Sequence, residues 1–194
     1  MSMGRSPDAS TLAVAVFVVL ANGCSSTRGG GDQSVSVLTE ITGRPDAVAV
    51  AQLAGTPGNF VGGRVSFAQF GSAVVVRAGF EGLPSNSTFG LHVHEKGNCS
   101  SADGSAAGGH FNPGGAPHGR PGSGAQHAGD LPNVQSLGEG AVFYVFETRA
   151  LSVLDGPSGV VGRSVILSRQ PDDYQTQPDG KSGPPLACGI IRLK

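Results

Sequence analysis

Short stretches of alternating apolar and small or polar residues recur along this chain and predict β-strands. A period of two places every second side chain on one face of a strand, whereas an amphipathic helix needs a period near 3.6. Glycine and proline separate the stretches, as is typical of strand–turn sequences. The predicted strands are 47–53, 60–70, 73–80, 88–94, 141–148, 160–168 and 187–193, with a weaker one at 151–154. Segment 35–41 is either an extra strand or part of a tether.

One long segment, 96–137, interrupts this pattern. It is rich in glycine and proline and has neither strand alternation nor the pattern of a long helix. The whole chain has 32 glycines in 194 residues, more than twice the usual share of roughly 7%. Loops of this length without structure of their own are usually functional or disordered. We therefore expect the functional site in this segment.

The five histidines of the chain all lie in or just before this segment. His92 and His94 lie in the apolar run GLHVHE, where the period of two sends both imidazoles to the same face. The other three precede an aspartate with metal-ligand spacing: His110, His118, His127 and Asp130. Three imidazoles and one carboxylate make a closed tetrahedral set suited to zinc. The pattern predicts two metal sites, against the alternative of solvent-exposed histidines that bind nothing.

Several segments together resemble the copper/zinc superoxide dismutases: GLHVHE, GGHFNP, QHAGDLPN, VVGR, PDDY and LACGII. They occur in the order of that family and cover roughly 46–194. The resemblance implies an all-β fold, an eight-stranded Greek-key barrel or sandwich with a long metal-binding loop and a long electrostatic loop. It also implies a disulfide between Cys99 and Cys188, and an oxidising compartment is consistent with that bond.

The resemblance assigns roles to individual residues. Copper would be bound by His92, His94 and His110, and zinc by His110, His118, His127 and Asp130, so that His110 bridges both metals and carries the catalytic proton. Asp172 would link a copper histidine to a zinc histidine through their outer nitrogens and fix their orientation. Arg163 is expected to be structural.

Two departures from the family pattern both fall on the copper side. Ser168 stands where the fourth copper histidine is expected, and Pro185 stands where an active-site arginine is expected. A serine hydroxyl is a poor copper ligand, and Cu(II) favours nitrogen and oxygen donors in tetragonal sites. Loss of a guanidinium removes a group that attracts and orients an anion. We expect dismutation of superoxide to hydrogen peroxide and oxygen to be weakened.

The sequence is compatible with two functions. The first is an enzyme of reduced activity, with superoxide as its small-molecule substrate. The second is a non-enzymatic, zinc-stabilised protein that binds copper or exchanges it with a copper donor or acceptor. The sequence does not distinguish a monomer from a homodimer.

The first residues predict export. The apolar run 12–21 is too short to span a bilayer, which needs about 20 residues, and suits the core of a signal peptide over 1–23. ANGC resembles a bacterial lipobox with Cys24 as the lipidated residue, and 24–45 would then be a lipid-anchored tether. These features predict that the protein is an exported periplasmic or cell-envelope lipoprotein. The alternatives are a buried strand or ordinary secretion for 12–21, and a free thiol for Cys24.

A net charge of −1 limits the partners. Nucleic acids and anionic membrane surfaces reward concentrated positive charge, so we expect no nucleic acid and no membrane contact except through the lipid anchor. The charge also gives superoxide no global attraction, so any steering of this anion must be local.

Overall fold

A computed structural model describes residues 43–194 of the chain. The predictions for 1–23, 35–41 and Cys24, and most of the predicted tether, lie outside these residues. Residues 43–194 contain nine strands and one turn of 3-10 helix at Ser105–Ala107. The strands are β1 (Ala47–Gly55), β2 (Gly62–Phe70), β3 (Ala73–Glu81), β4 (Thr88–Phe89), β5 (Leu91–His94), β6 (Val134–Gln135), β7 (Val142–Thr148), β8 (Ser164–Ser168) and β9 (Pro185–Leu193).

Seven strands form one curled antiparallel sheet in the order β5-β8-β9-β1-β2-β3-β7, and β4 and β6 form a separate pair. The last strand, β9, lies between β1 and β8, which is a crossover of the Greek-key type. The predicted all-β fold is confirmed and agrees with a barrel. Among residues 43–194, no helix is long and apolar enough to cross a membrane.

Alternation along the strands builds the core. In β3, for example, Val74, Val76, Ala78 and Phe80 are buried against the facing strands, and Arg77 points to solvent. Burial of such apolar side chains supplies the main favourable term in folding. The largest wholly buried apolar side chains are Phe67, Leu91, Leu131, Leu167 and Ile191.

Three predicted strands differ from the structure. Segment 88–94 is not one strand but divides at Gly90 into β4 and β5. The Gly90 amide donates to the Gln170 carbonyl, and the Gly90 carbonyl accepts from the Ser168 amide. The residues before Gly90 form β4, which pairs with β6. Segment 160–168 forms a strand only from Ser164 on, since Arg163 donates to the Val160 carbonyl in a turn. Segment 151–154 contributes only a single bridge to Gly159.

The long loop is attached to β5. Val93 donates to the Gly129 carbonyl and accepts from Phe111, and Gly129 donates to Phe111. These bonds bring two separate points of the 96–137 segment to the strand that carries His92 and His94. The loop therefore has a fixed place over the histidine face of β5, although it has almost no regular structure of its own.

Candidate metal centre

Four loop side chains converge on one point. The ligand atoms of His110, His118, His127 and Asp130 lie within 4.8 Å of one another, and all four residues are buried. The carboxylate of Asp130 is the centre of the group: its Oδ1 lies 2.9 Å from His110 Nδ1 and 3.2 Å from His127 Nδ1, and its Oδ2 lies 3.1 Å from His118 Nδ1. Three Nδ1 atoms and one carboxylate make up an N₃O donor set, which suits a closed zinc site.

A second group shares His110 with the first. The ligand atoms of His92, His94 and His110 also lie within 4.8 Å of one another. His94 donates from Nδ1 to the Gly108 carbonyl at 2.9 Å, which leaves its Nε2 free. His110 has its Nδ1 on Asp130, so its Nε2 is available to the second group. The structure thus brings together the residues that the sequence predicts for each metal.

Two buried ring nitrogens test whether metals fit these groups. The Nδ1 atoms of His92 and His118 are buried and have no hydrogen-bond partner, although His118 Nδ1 lies 3.1 Å from Asp130 Oδ2. One orphaned nitrogen belongs to each group. Buried polar atoms without partners are costly in a folded protein, and a bound metal ion supplies the missing partner. The donors present therefore fit zinc in the first group and copper in the second.

Asp172 links the two groups by a hydrogen bond to one histidine of each. Its Oδ2 accepts from His92 Nε2 at 2.8 Å, and its Oδ1 accepts from His118 Nε2 at 2.9 Å. All three side chains are fully buried. Because each Nε2 is bound to the carboxylate, each Nδ1 must face its metal group, which sets the tautomer and ring orientation. This is the arrangement that the resemblance implies for Asp172.

The charge states of His92, His94, His127 and Asp130 favour metal binding at neutral pH, whereas the Asp172 and Asp130 carboxylates raise the pKa of His118 against the effect of burial. Burial lowers the pKa of His92 to about 4 and that of His94 to about 3, so both rings are neutral ligands. Burial also lowers the pKa of His127. Although burial opposes it, hydrogen bonds from His110 and from backbone amides hold the pKa of Asp130 well below its usual range, so the carboxylate is ionised.

Three residues near the site carry roles that the sequence analysis did not identify. Asn133 exchanges two hydrogen bonds with the backbone of Asp172, at 2.9 Å each. Gln177 does the same with the backbone of His118, at 2.8 Å each. Gly180 has φ +63°, and a Cβ there would overlap Asp172 Oδ1 and lie 2.7 Å from His118 Nε2. Asn133 lies inside a family segment, whereas Gln177 follows no local pattern.

A cavity of about 410 Å³ opens over His94 and His110. Ser168 and Pro185 both line it, so the two departures from the family pattern lie in one place. Three carboxylate residues, Glu95, Asp103 and Asp179, line it as well. Within 43–194, no lysine or arginine does so.

Three arginines that do not line the cavity make their contacts elsewhere. Arg169 donates to Asn59 Oδ1 at 2.8 Å, and the guanidinium of Arg120 lies 4.5 Å from the centre of the Tyr174 ring. Arg163 donates to the carbonyls of Gly159 and Glu95 and lies over Phe111, which is a structural role. The described part of the chain therefore places no lysine or arginine in the lining of the cavity.

The disulfide between Cys99 and Cys188 is present, with Cα atoms 5.8 Å apart. It connects the long loop to β9 across a sequence separation of 89 residues. Cys188 pairs with Ile166 of β8 in the sheet, two residues before Ser168. The bond therefore fixes the start of the metal loop to the strands that form one wall of the cavity.

Comparisons with known proteins agree with this geometry. The family model described as Copper/zinc superoxide dismutase (SODC) matches residues 61–191. "Superoxide dismutase [Cu-Zn] 2" of Aquifex aeolicus is 32% identical over 76% of this chain and 88% of its own length. "Copper chaperone for superoxide dismutase" of Rattus norvegicus is 36% identical over 82% of this chain and 62% of its own length.

A solved structure, that of the "clock protein EA4", is also similar to this fold. It superposes with a TM-score of 0.69 at 32% identity, over 79% of this chain and 98% of that chain. The relatives thus include proteins named for dismutase activity and proteins named for copper delivery. The family and the histidine groups support copper and zinc as the metals of this protein. The chain belongs to the copper/zinc superoxide dismutase family.

Proposed function

We propose that this protein binds zinc and copper and dismutates superoxide to hydrogen peroxide and oxygen at a reduced rate. The observation that carries the proposal is the sharing of His110 between a group of four ligand residues and a group of three histidines under an open cavity. In the overall reaction, two superoxide ions and two protons give one hydrogen peroxide and one oxygen. Copper, when bound, supplies the one-electron redox chemistry of this reaction.

The protein's own residues divide the remaining work. His92, His94 and His110 would hold copper, and His110, His118, His127 and Asp130 would hold zinc. Asp130 keeps Nδ1 of His110 on the zinc side, so Nε2 of the same ring is the atom placed to take up a proton and pass it to the product. Asp172 keeps His92 and His118 in the matching tautomers.

The weakening follows from the cavity wall. Ser168 offers a hydroxyl in place of a fourth imidazole, which reduces binding of Cu(II) more than that of Cu(I) because Cu(I) accepts fewer donors. Pro185 supplies no charge, and the three carboxylates of the lining repel an anion. Both effects should slow dismutation, because this reaction needs copper to be held in both the Cu(I) and the Cu(II) state and because its substrate is an anion.

The experiment that tests this proposal is metal analysis and superoxide decay on one preparation of the full chain reconstituted with zinc and copper. One zinc and one copper per chain, with decay clearly faster than with the metal-free protein, would support the proposal. Copper bound without turnover, or zinc alone, would contradict it. A chain with His110→Ala serves as the control that removes both shared ligand positions.

The second candidate is copper handling without turnover, and the cavity's charge favours it. The lining has three carboxylates and no cation among the described residues, so its charge attracts a copper ion. The three imidazoles beneath it suit Cu(I). The similarity to the rat copper chaperone points to the same function. Reversible Cu(I) binding, with transfer to a copper-binding acceptor and no superoxide decay, would support this function over the first.

Export and lipidation complete the proposal. The disulfide in the structure suits an oxidising compartment, and the apolar run 12–21 followed by Cys24 suits a bacterial lipoprotein signal. The mass of the mature protein tests this directly. Cleavage before Cys24 with an added diacylglyceride is expected, and Cys24→Ser should abolish the modification.

A further inference from the structure

The side chain of Gln177 connects the loop between β8 and β9, to which it belongs, with the metal-binding loop 96–137. Its Oε1 accepts from the His118 amide, and its Nε2 donates to the His118 carbonyl, both at 2.8 Å and across 59 residues of sequence. Both polar backbone groups of one proposed zinc ligand are therefore bound by one residue of the other loop. The ring of His118 is held separately, by Asp172.

Gln177 belongs to a small, internally bonded turn. Gly180 donates to the Thr176 carbonyl at 2.8 Å, and Asp173 donates to Gly180 at 2.9 Å. The Asp173 carboxylate accepts from both the amide and the hydroxyl of Thr176. Because these bonds cross-link the turn, a displacement of Gln177 moves the turn as a unit.

This turn is also a wall of the cavity. Pro178 and Asp179, which follow Gln177 directly, line the cavity over His94 and His110, as do Ser182 and Gly183 further on. The segment that hydrogen-bonds the backbone of one proposed zinc ligand therefore also lines the cavity over the proposed copper site.

We propose that Gln177 is a positioning residue that couples zinc binding at His118 to the order of the cavity wall formed by Pro178 and Asp179. The inference depends on the zinc site of the proposed function. Zinc fixes the backbone of His118, the two hydrogen bonds carry this restraint to Gln177, and the turn 176–180 becomes ordered over the copper histidines. By thermodynamic linkage, an ordered wall in turn favours zinc.

The test is amide hydrogen exchange of the full chain, followed residue by residue by NMR with and without one equivalent of zinc and without copper. In the natural protein, zinc should slow amide exchange at Gly180 and Ser182 by about tenfold or more. This is the factor expected when the ordered state is stabilised by the net free energy of one or two hydrogen bonds. Gln177→Met keeps the length of the side chain and removes both bonds to His118, together with a longer one of 3.4 Å to the Gln175 carbonyl, so most of this slowing should vanish. Gln177→Glu keeps the acceptor alone and should give an intermediate effect.

Gln175→Met is the matched control. Gln175 is exposed, lies two residues away, and its side chain makes no hydrogen bond within 43–194. This variant should show the full effect of zinc. Zinc content is measured for each sample, so that loss of zinc and loss of coupling are distinguished.

A second readout follows the cavity itself. Affinity for Ag(I), a redox-inert substitute for Cu(I), should rise when zinc is bound, and this rise should be several-fold smaller in Gln177→Met than in Gln175→Met. Full slowing of exchange in zinc-loaded Gln177→Met would overturn the inference and leave the proposed function intact. Failure of the natural protein to take up zinc would overturn both.

Discussion

Ser168 and Pro185 are direct partners across β8 and β9, beside a shift of strand register between Leu167 and Ser168. Both are buried and both line the cavity over His94 and His110. Residues that lie 17 positions apart in the sequence thus change one wall of one cavity. The two departures therefore alter the same wall of the cavity: one removes a copper ligand, and the other removes a positive charge.

Restoring these two residues should separate the two effects. Ser168→His should raise Cu(II) affinity by about tenfold or more, because it adds a nitrogen donor to a three-histidine set. Pro185→Arg should make the superoxide rate fall with added salt, because it adds a screened attraction for the anion. Copper competition titrations and rates at several ionic strengths measure these effects.

Ser168→Gln is the control for that experiment, since it adds a side chain of similar size without an imidazole. The double variant with His at 168 and Arg at 185 should have the highest rate of the set. If it is no faster than the natural protein while binding one zinc and one copper, the explanation of weakened turnover is wrong.

Gly180 should tolerate no side chain. Gly180→Ala places a Cβ against the Asp172 carboxylate and the His118 ring, at a positive φ that favours glycine. We expect zinc affinity to fall by about 10- to 100-fold, the usual effect of disturbing the partners of metal ligands. Chelator competition measures the affinity.

The comparison variant is Gly114→Ala in the metal loop, where an added Cβ meets no atom within 4 Å. It should retain the natural zinc affinity. Equal affinities for the two alanine variants would contradict the importance assigned to the contact between Gly180 and Asp172.

The metal-free protein should lose stability as the pH falls from about 6 to about 4. The pKa values of His92 and His94 are about 4 and about 3 in the folded state, below the ordinary value of 6.5. In this window the unfolded chain binds protons that the folded chain does not, and each histidine lowers the free energy of unfolding by about 1.4 kcal/mol per pH unit. Urea unfolding at a series of pH values measures this slope.

His118 does not reverse this trend, because the Asp172 and Asp130 carboxylates raise its pKa against the effect of burial. Its stabilising contribution is complete below pH 6.5 and declines only at higher pH. His94→Gln should reduce the slope by the share of one histidine. A free energy of unfolding that is constant or rises on acidification from pH 6 to pH 4 would refute the prediction.

Removal of the disulfide should destabilise the metal-free protein by about 4–5 kcal/mol, the chain-entropy value for a loop near 90 residues. The change is the double substitution of Cys99 and Cys188 by serine, measured by urea unfolding. Cys24→Ser, measured on the unlipidated chain, is the control for replacing a cysteine by serine and should leave stability unchanged. A double variant as stable as the control would show that the bond does not restrain the unfolded chain.

The period-two alternation was sufficient to predict the main strands and the common face of His92 and His94. It could not predict the division at Gly90, because that break depends on hydrogen bonds to Gln170 and Ser168, which are remote in sequence. Histidine spacing predicted the two groups because imidazoles are rare in this chain and their chemistry is specific. Gln177 could not be found in this way, since a side-chain amide that binds a distant backbone has no characteristic local pattern.

All of the grouped histidines and Asp130 lie between 92 and 130, whereas three residues that hold them in place, Asp172, Gln177 and Cys188, come later in the chain. During synthesis, the ligands therefore emerge before the residues that orient them. A metal captured at that stage would meet loose imidazoles in either tautomer. The ligand orientations seen in the structure therefore require the later segment to be in place.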